Sequence, residues 1–203
     1  MTTSNLSITL RNAKSIFDQL NSYRMECTTL SAKHQKIIAE MIMLRAFSVL
    51  ESSISEIAFK LASGACYTNK TMPILKVRAK SMSGARTNFL NYGRKKPIQN
   101  LKWTQSKSIN DSIKYVMDPT SAYIDNVRIY ASLLNEMRQV RNALAHSSPT
   151  AKAEFRTLVR GIYGTRSNIT AGSFLISISR GKICKLEQYL LSSNIILFDL
   201  CKG

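Results

Sequence analysis

Residues that break helices are scarce in this chain and lie where helices would end. The 203 residues include eight glycines and four prolines, about half of the usual share of roughly 12%. All four prolines lie outside the segments in which apolar residues return every three or four positions, as helices require. This pattern argues against a turn-rich β-sandwich and predicts an all-α fold, a helical bundle.

The spacing of apolar residues also predicts where the helices lie. Ser31 is a candidate N-cap and Gly64 a candidate stop for a long early helix, and Pro149 directly after Ser148 is typical of a helix start. The predicted helices span 5–28, 32–62, 109–117, 121–145, 149–163 and 183–199. Alternation of Phe174, Ile176 and Ile178 with serine predicts one short strand.

The length favours one domain, 1–203. Its segment 64–110 is predicted to be a basic, mostly irregular insertion between long helices, with short helices at 74–82 and 84–91. No apolar run is long enough to cross a membrane, and the N-terminus lacks the pattern of a secretory signal. Four cysteines without a C-x-x-C pair indicate reduced thiols and no metal site. We therefore expect a cytoplasmic protein.

Positive charge is concentrated in two stretches that contain no acidic residue. The chain carries 29 Lys and Arg against 12 Asp and Glu, a net charge of +17. One acid-free stretch lies between Glu56 and Asp111 and holds eleven basic residues, and the other lies between Glu154 and Glu187 and includes Arg166, Arg180 and Lys182. Such a field attracts polyanions. Nucleic acid is the favoured partner, and an acidic protein or a merely solvated surface are the alternatives.

The first stretch supplies the predicted nucleic-acid-binding residues. They are the basic side chains of the insertion, Lys76, Arg78, Lys80, Arg86, Arg94, Lys95, Lys96 and Lys102. Lysine and arginine contact phosphates without reading base sequence. We therefore expect this segment to set the affinity for RNA without taking part in chemistry.

Two charged residues interrupt the apolar stripes of predicted helices. Glu51 follows Phe47 by four positions, and Arg141 follows Met137 by four. A charge on a buried face costs several kcal/mol unless it is paired. One interpretation is a structural ion pair between Glu51 and Arg141; the other is that both line a cleft, where such charges acquire catalytic value.

Five residues after Arg141 comes His146, with Asn142 directly after the arginine. In a continuous helix, residues five apart point about 140° away from each other and cannot converge on one group. A helix that ends near Ala145 would free His146 to turn toward Arg141. The breaker Ser147-Ser148-Pro149 that follows predicts such an end.

At these residues the chain resembles the HEPN superfamily, whose signature is an arginine, a polar residue and, a few positions later, a histidine at a helix end. Arg141, Asn142 and His146 match that signature, and Glu51 resembles the acidic residue that many members carry on an earlier helix. The length and the basic insertion are most similar to the RiboL-PSP type of HEPN protein. The resemblance covers roughly 32–62 and 121–165 and leaves the insertion unexplained.

The resemblance implies a metal-independent endoribonuclease without a cofactor, often a toxin or an antiphage effector, whose active site forms between two facing HEPN domains. We expect His146 to act as the base and Arg141 to stabilise the charge on the phosphate. Asn142 would orient these groups, and Glu51 would hold Arg141. Two alternatives stay open: a non-catalytic HEPN-like module that binds RNA or a partner protein, and an interaction protein whose basic face meets an acidic partner such as an antitoxin.

Overall fold

The computed structural model describes residues 5–164, 169–178 and 183–203. These residues form nine α-helices: α1 (Leu6–Glu26), α2 (Ala32–Ala62), α3 (Met82–Asn91), α4 (Ser106–Ile113), α5 (Ala122–Ile129), α6 (Ala131–Ala145), α7 (Pro149–Tyr163), α8 (Ala171–Ile176) and α9 (Lys185–Lys202). Their only β-type pairing is two isolated bridges, Leu75 with Met117 and Ile178 with Cys184. The all-α prediction is confirmed for the described residues. None of the helices described is long and apolar enough to span a membrane.

Helix α2 is the central element of the bundle. Its 31 residues extend about 46 Å at 1.5 Å per residue, and α1, α3, α6, α8 and α9 all pack against it. Side chains on its inner side, such as Met43, Leu50, Ile54 and Ile57, are fully buried. Burial of this apolar face stabilises the helix far more than its intrinsic propensity does.

Polar contacts fix the helices around α2. Glu136 on α6 accepts hydrogen bonds from Lys185 Nζ at 3.0 Å and from the Tyr189 hydroxyl at 2.6 Å, both on α9. Burial and the negative charge of Glu136 raise the pKa of Tyr189, so this hydroxyl stays protonated as a donor. Lys60 on α2 is similarly enclosed by Glu56 and by Thr9 of α1. These contacts hold α6 and α1 in fixed positions along the bundle.

The single helix predicted over 121–145 is wrong: the structure divides it into α5 and α6. Tyr130 lies between the two helices, and its hydroxyl donates to the Asp199 carboxylate on α9. Asn126 donates to the backbone oxygen of Asp199 at 2.8 Å. This anchoring raises the pKa of Tyr130 to about 12. The apolar spacing continues across the break, so the pattern alone could not reveal it.

The strand predicted from Phe174, Ile176 and Ile178 is also wrong. The segment 171–176 is the short helix α8, and its N-cap Thr170 accepts a hydrogen bond from the Ser173 backbone N–H at 3.2 Å. At Gly172, a Cβ atom would lie 2.6 Å from a Glu40 oxygen on α2. Glycine therefore lets α8 pack closely on α2, and this tertiary contact outweighs a short alternating pattern.

The segment 64–110 is part of the core and not an irregular appendage. No helix forms over 74–81; the chain bends there and makes one isolated bridge, Leu75 with Met117, and Lys76 N donates to Val116 O at 2.8 Å. The helices predicted at 84–91 and 109–117 correspond to α3 and α4 with shifted ends. Phe89, Trp103 and Ile109 from this region are at most 5% exposed. The segment therefore helps to build the hydrophobic core, while its basic side chains, except the half-buried Arg94, are exposed where the structure describes them.

Candidate active site

Helix α6 ends at Ala145, and this end brings Arg141 and His146 together. His146 N still donates to Asn142 O at 2.9 Å, but the His146 backbone is extended (φ −129°, ψ 127°), so the chain leaves the helix at this residue. Arg141 Nη1 lies 3.4 Å from His146 Nε2. The predicted helix end therefore places the two side chains in contact, which a continuous helix would prevent.

Asn142 completes the cluster. Its Oδ1 accepts a hydrogen bond from the same Arg141 Nη1 at 3.1 Å. A guanidinium has only donors, so the contact with His146 requires Nε2 to be the acceptor. An imidazole nitrogen without a proton can accept one from a substrate hydroxyl once the long contact with Arg141 opens.

The Arg141 guanidinium packs against the Phe47 ring. The guanidinium carbon lies 5.9 Å from the centre of this ring, which is buried on α2. Arg141 is half-buried and His146 is exposed. Among the described residues, Arg141 Nε and Nη2 have no hydrogen-bond partner, so one edge of the guanidinium is open to an anion. Cation–π contact and this free edge together make Arg141 a candidate phosphate-binding group.

The predicted contact between Glu51 and Arg141 is absent from the structure. No ion pair joins these two described residues; Glu51 instead accepts a long hydrogen bond, 3.4 Å, from the Thr104 hydroxyl. The reason is the helix register. Glu51 lies on the outer side of α2 with Leu44 and Ser48, and the buried line passes through Leu50 and Ile54. Glu51 therefore does not hold Arg141 in this structure.

Replacing Glu51 with alanine is accordingly expected to change stability little. The substitution removes one weak hydrogen bond at a half-buried site, so the free energy of unfolding should fall by about 1 kcal/mol or less. Removing one partner of a buried ion pair would cost about 3–5 kcal/mol. Denaturant titration of the variant and of Thr104→Val measures the difference, and a loss in the larger range would contradict the observed register.

The eight predicted RNA-binding residues have different surroundings. Seven are exposed, and within the described parts of the chain five of these have no side-chain partner: Lys80, Arg86, Lys95, Lys96 and Lys102. Lys76 Nζ donates to Lys114 O at 2.9 Å. The Arg78 guanidinium lies directly against Gly64, which ends α2 with φ +101°, so close that a Cβ atom at Gly64 would meet it at 2.1 Å. The unpartnered cations are the ones best placed to meet phosphates.

Arg94 has a structural role that the sequence did not reveal. It is half-buried, and its guanidinium donates to Phe89 O near the end of α3 and to Asp111 O and Ser112 O near the end of α4, at 3.0–3.2 Å. Its carbon also lies 4.9 Å from the Tyr115 ring centre. A cation that binds the last carbonyls of two helices stabilises both ends. Arg94 is thus removed from the set of groups free to bind RNA.

The double variant Lys95→Gln/Lys96→Gln tests the RNA path without disturbing Arg94. Loss of up to two phosphate contacts should flatten the slope of log K against log salt by about 1.4 for single-stranded RNA, at roughly 0.7 per contact. The variant Lys14→Gln/Lys33→Gln removes the same charge from α1 and the start of α2 and should leave the slope nearly unchanged. Equal slopes for both variants would contradict a role for Lys95 and Lys96.

Two residues near the cluster were not identified from the sequence. Arg138 lies one turn before Arg141 on α6, and its buried Nε has no hydrogen-bond partner among the described residues. Thr104 is buried beside Glu51. Arg138 could have been found from the sequence, because it precedes Arg141 by three positions and so lies on the same side of the helix. Nothing in the sequence marks Thr104. Arg166, Arg180 and Lys182 lie outside the described residues.

No group of three or more His, Cys, Asp or Glu side chains that suits a metal ion occurs in the described segments. The four cysteines are present as free thiols. Comparisons with protein-family models, with curated proteins and with solved structures found no match for this chain.

Proposed function

We propose that this protein is a metal-independent endoribonuclease of the HEPN type. The observation that carries the proposal is the contact between Arg141 Nη1 and His146 Nε2, 3.4 Å, at an exposed helix end. A base and a fixed cation at this separation are two of the groups that RNA cleavage by the 2′-hydroxyl needs. The net charge of +17 supports a polyanionic substrate.

The reaction uses the chain's own residues in named roles. His146 Nε2 accepts the proton of the 2′-hydroxyl, and the 2′-oxygen then attacks the adjacent phosphorus. The bond from phosphorus to the 5′-oxygen breaks, which leaves a 2′,3′-cyclic phosphate and a 5′-hydroxyl. Arg141 stabilises the charge that grows on the phosphate oxygens, and Asn142 holds Arg141 Nη1 in place. Glu51 has no part in these steps.

The departing 5′-oxygen needs a proton from the side of the phosphorus opposite to the attacking group. One His146 cannot serve as both base and acid in the same turnover, so we propose a homodimer in which the second His146, protonated and turned away from its own Arg141, donates its proton to the departing 5′-oxygen. Exposed apolar side chains on α2 support this arrangement: Ile37, Met41 and Leu44 are 48%, 65% and 36% exposed. Leu44 precedes Phe47, which lies under Arg141, by less than one turn. The apolar residues of α6 offer less surface, because Leu134, Met137 and Val140 are buried and Leu133 and Leu144 are half-buried.

The substitution Met41→Glu is expected to weaken the dimer at least about a hundredfold, because an unpaired charge would be buried at the contact. Sedimentation velocity over a concentration series measures the dissociation constant, and cleavage should be lost in parallel. The matched control is Ile195→Glu on α9, a side chain 54% exposed. A wild-type monomer that cleaves RNA at full rate would refute the composite site.

The direct test of the activity is incubation of the purified protein with total RNA in excess EDTA. New fragments that end in a 2′,3′-cyclic phosphate, detected by their resistance to ligation until the terminal phosphate is removed, are expected from the wild type. Absence of such fragments at protein concentrations that saturate RNA binding would overturn the ribonuclease proposal.

A second candidate function is a non-catalytic HEPN-like module that binds RNA or an acidic partner such as an antitoxin. The observation that favours it is the group of five exposed cations without partners, since these can bind an anionic surface without any help from His146. This alternative predicts tight binding without cleavage and no effect of changes at His146. The EDTA assay, combined with a binding measurement, separates it from the ribonuclease.

A further inference from the structure

A polar-mouthed cavity with aromatic walls lies between α2, α3 and the loop that follows α3. It encloses about 270 Å³ and is lined by Ser55 and Phe59 from α2, Arg86 from α3, and Gln99, Asn100 and Trp103 from the loop. Pockets for drug-sized ligands begin near 300 Å³. The size therefore suits a single flat heterocycle better than a larger molecule.

The aromatic side of this cavity is rigidly built. Phe59, Phe89 and Trp103 form a mutual cluster with ring centres 5.4–5.7 Å apart and largely edge-to-face geometry. Phe89 and Trp103 are nearly fully buried, whereas Phe59 is only half-buried. Phe59 is therefore the ring of this cluster on which a nucleobase can stack, and its packing against Trp103 holds it in place.

The polar side of the cavity is unused within the protein. The side chains of Arg86, Gln99 and Asn100 are exposed, and none of them has a hydrogen-bond partner among the described residues. Arginine pairs with guanine at O6 and N7, and asparagine or glutamine pairs with adenine at N6 and N7. The polar groups at this mouth therefore match the edge that purines present and pyrimidines lack.

The cavity and the Arg141–His146 cluster lie along the same helix. Phe47, under Arg141, and Ser55, in the cavity, are eight residues apart on α2, about 12 Å at 1.5 Å per residue. Glu51 lies midway and contacts Thr104, the neighbour of Trp103. Lys102 is exposed on the same loop. A single strand whose phosphate lies at Arg141 can reach the cavity with a base a few nucleotides away.

We propose that this cavity binds one unstacked purine of a single-stranded RNA substrate and so selects where the chain is cut. The inference rests on the proposed ribonuclease function for its link to cleavage. Binding of the purine needs only the cavity, so the cavity proposal and the ribonuclease proposal can fail independently.

Trp103 is the only tryptophan of the chain and reports on the cavity directly. In the His146→Ala background, which is used so that the RNA stays intact, an oligouridine with one central adenosine or guanosine should change the Trp103 fluorescence. The same oligonucleotide with an abasic residue at that position should not. Loss of the amides in Gln99→Ala/Asn100→Ala should weaken binding of the purine-containing oligonucleotide about tenfold and leave binding of plain oligouridine unchanged.

The control Asn12→Ala/Gln19→Ala removes the same side-chain types from α1 and should have no effect on either oligonucleotide. If wild-type protein cleaves RNA, Gln99→Ala/Asn100→Ala should cut with less preference for a nearby purine. Trp103 fluorescence that is the same with and without the purine base would overturn the cavity proposal, even where cleavage is intact. An unchanged affinity of Gln99→Ala/Asn100→Ala for the purine-containing oligonucleotide would overturn it as well. A fluorescence response without any cleavage would instead support the cavity and overturn the ribonuclease.

Discussion

Replacing His146 with alanine is expected to reduce the rate of RNA cleavage by about 10²–10⁴-fold, the usual contribution of a positioned general base or acid. In the dimer, the substitution removes both the group that accepts the 2′-hydroxyl proton and the group that protonates the 5′-oxygen, so the loss should lie toward the upper end. The affinity for RNA should change little, because Arg141 and the exposed lysines remain. The fold should persist, because the His146 side chain is exposed and its backbone already lies outside α6.

The measurement is the single-turnover rate at saturating RNA, accompanied by a thermal melt. His34 offers a matched control, since it is the only other histidine of the chain. It is exposed near the start of α2, where its Nδ1 lies 2.9 Å from the Ser31 hydroxyl. His34→Ala should cleave like wild type. Equal rates for His146→Ala and wild type would remove His146 from the chemistry.

The sequence predicted the parts of the fold that depend on local spacing. The long α2, α7 and α9 follow from apolar residues three and four positions apart and from boundary residues such as Gly64, after α2, and Pro149, at the start of α7. The break at Tyr130 depends on Asp199, which is distant in the sequence, and α8 depends on the close approach of Gly172 to α2. Such tertiary contacts leave no periodic signal along the chain.

In the candidate site, too, local features could be predicted from the sequence and tertiary contacts could not. The end of α6 at Ala145 is encoded locally, and with it the approach of His146 to Arg141. The supposed pair of Glu51 with Arg141 failed because a stripe of spaced residues does not say which edge of the helix meets solvent. A rotation of about 60° separates the buried line of α2 from the line that carries Glu51, Ser48 and Leu44. Arg94 could not be distinguished from its neighbours Lys95 and Lys96 by charge alone.

Arg141→Lys is expected to lower the cleavage rate at saturating RNA by about a hundredfold, although the positive charge is kept. Nη1 of Arg141 is occupied by Asn142 Oδ1 and faces His146 Nε2, while Nε and Nη2 stay available to bind two oxygens of one phosphate. A lysine ammonium is a point charge without this planar fork, so it cannot contact the neighbouring side chains and the phosphate in the same geometry. Loss of one preorganised donor to a developing oxyanion typically costs 10²–10³ in rate.

Arg141→Lys should change kcat and KM to different extents. Charge on the phosphate oxygens increases in the transition state, so the lost interaction should lower kcat more than it raises KM. Arg128→Lys is the matched control: Arg128 is exposed on α5 and pairs with Asp125 at 3.1 Å, away from the α6 end. It should leave both constants unchanged. If Arg141→Lys turns over RNA at a near-normal rate and only KM rises, Arg141 acts as a simple point charge that attracts RNA, and the transition-state role assigned to its guanidinium is wrong.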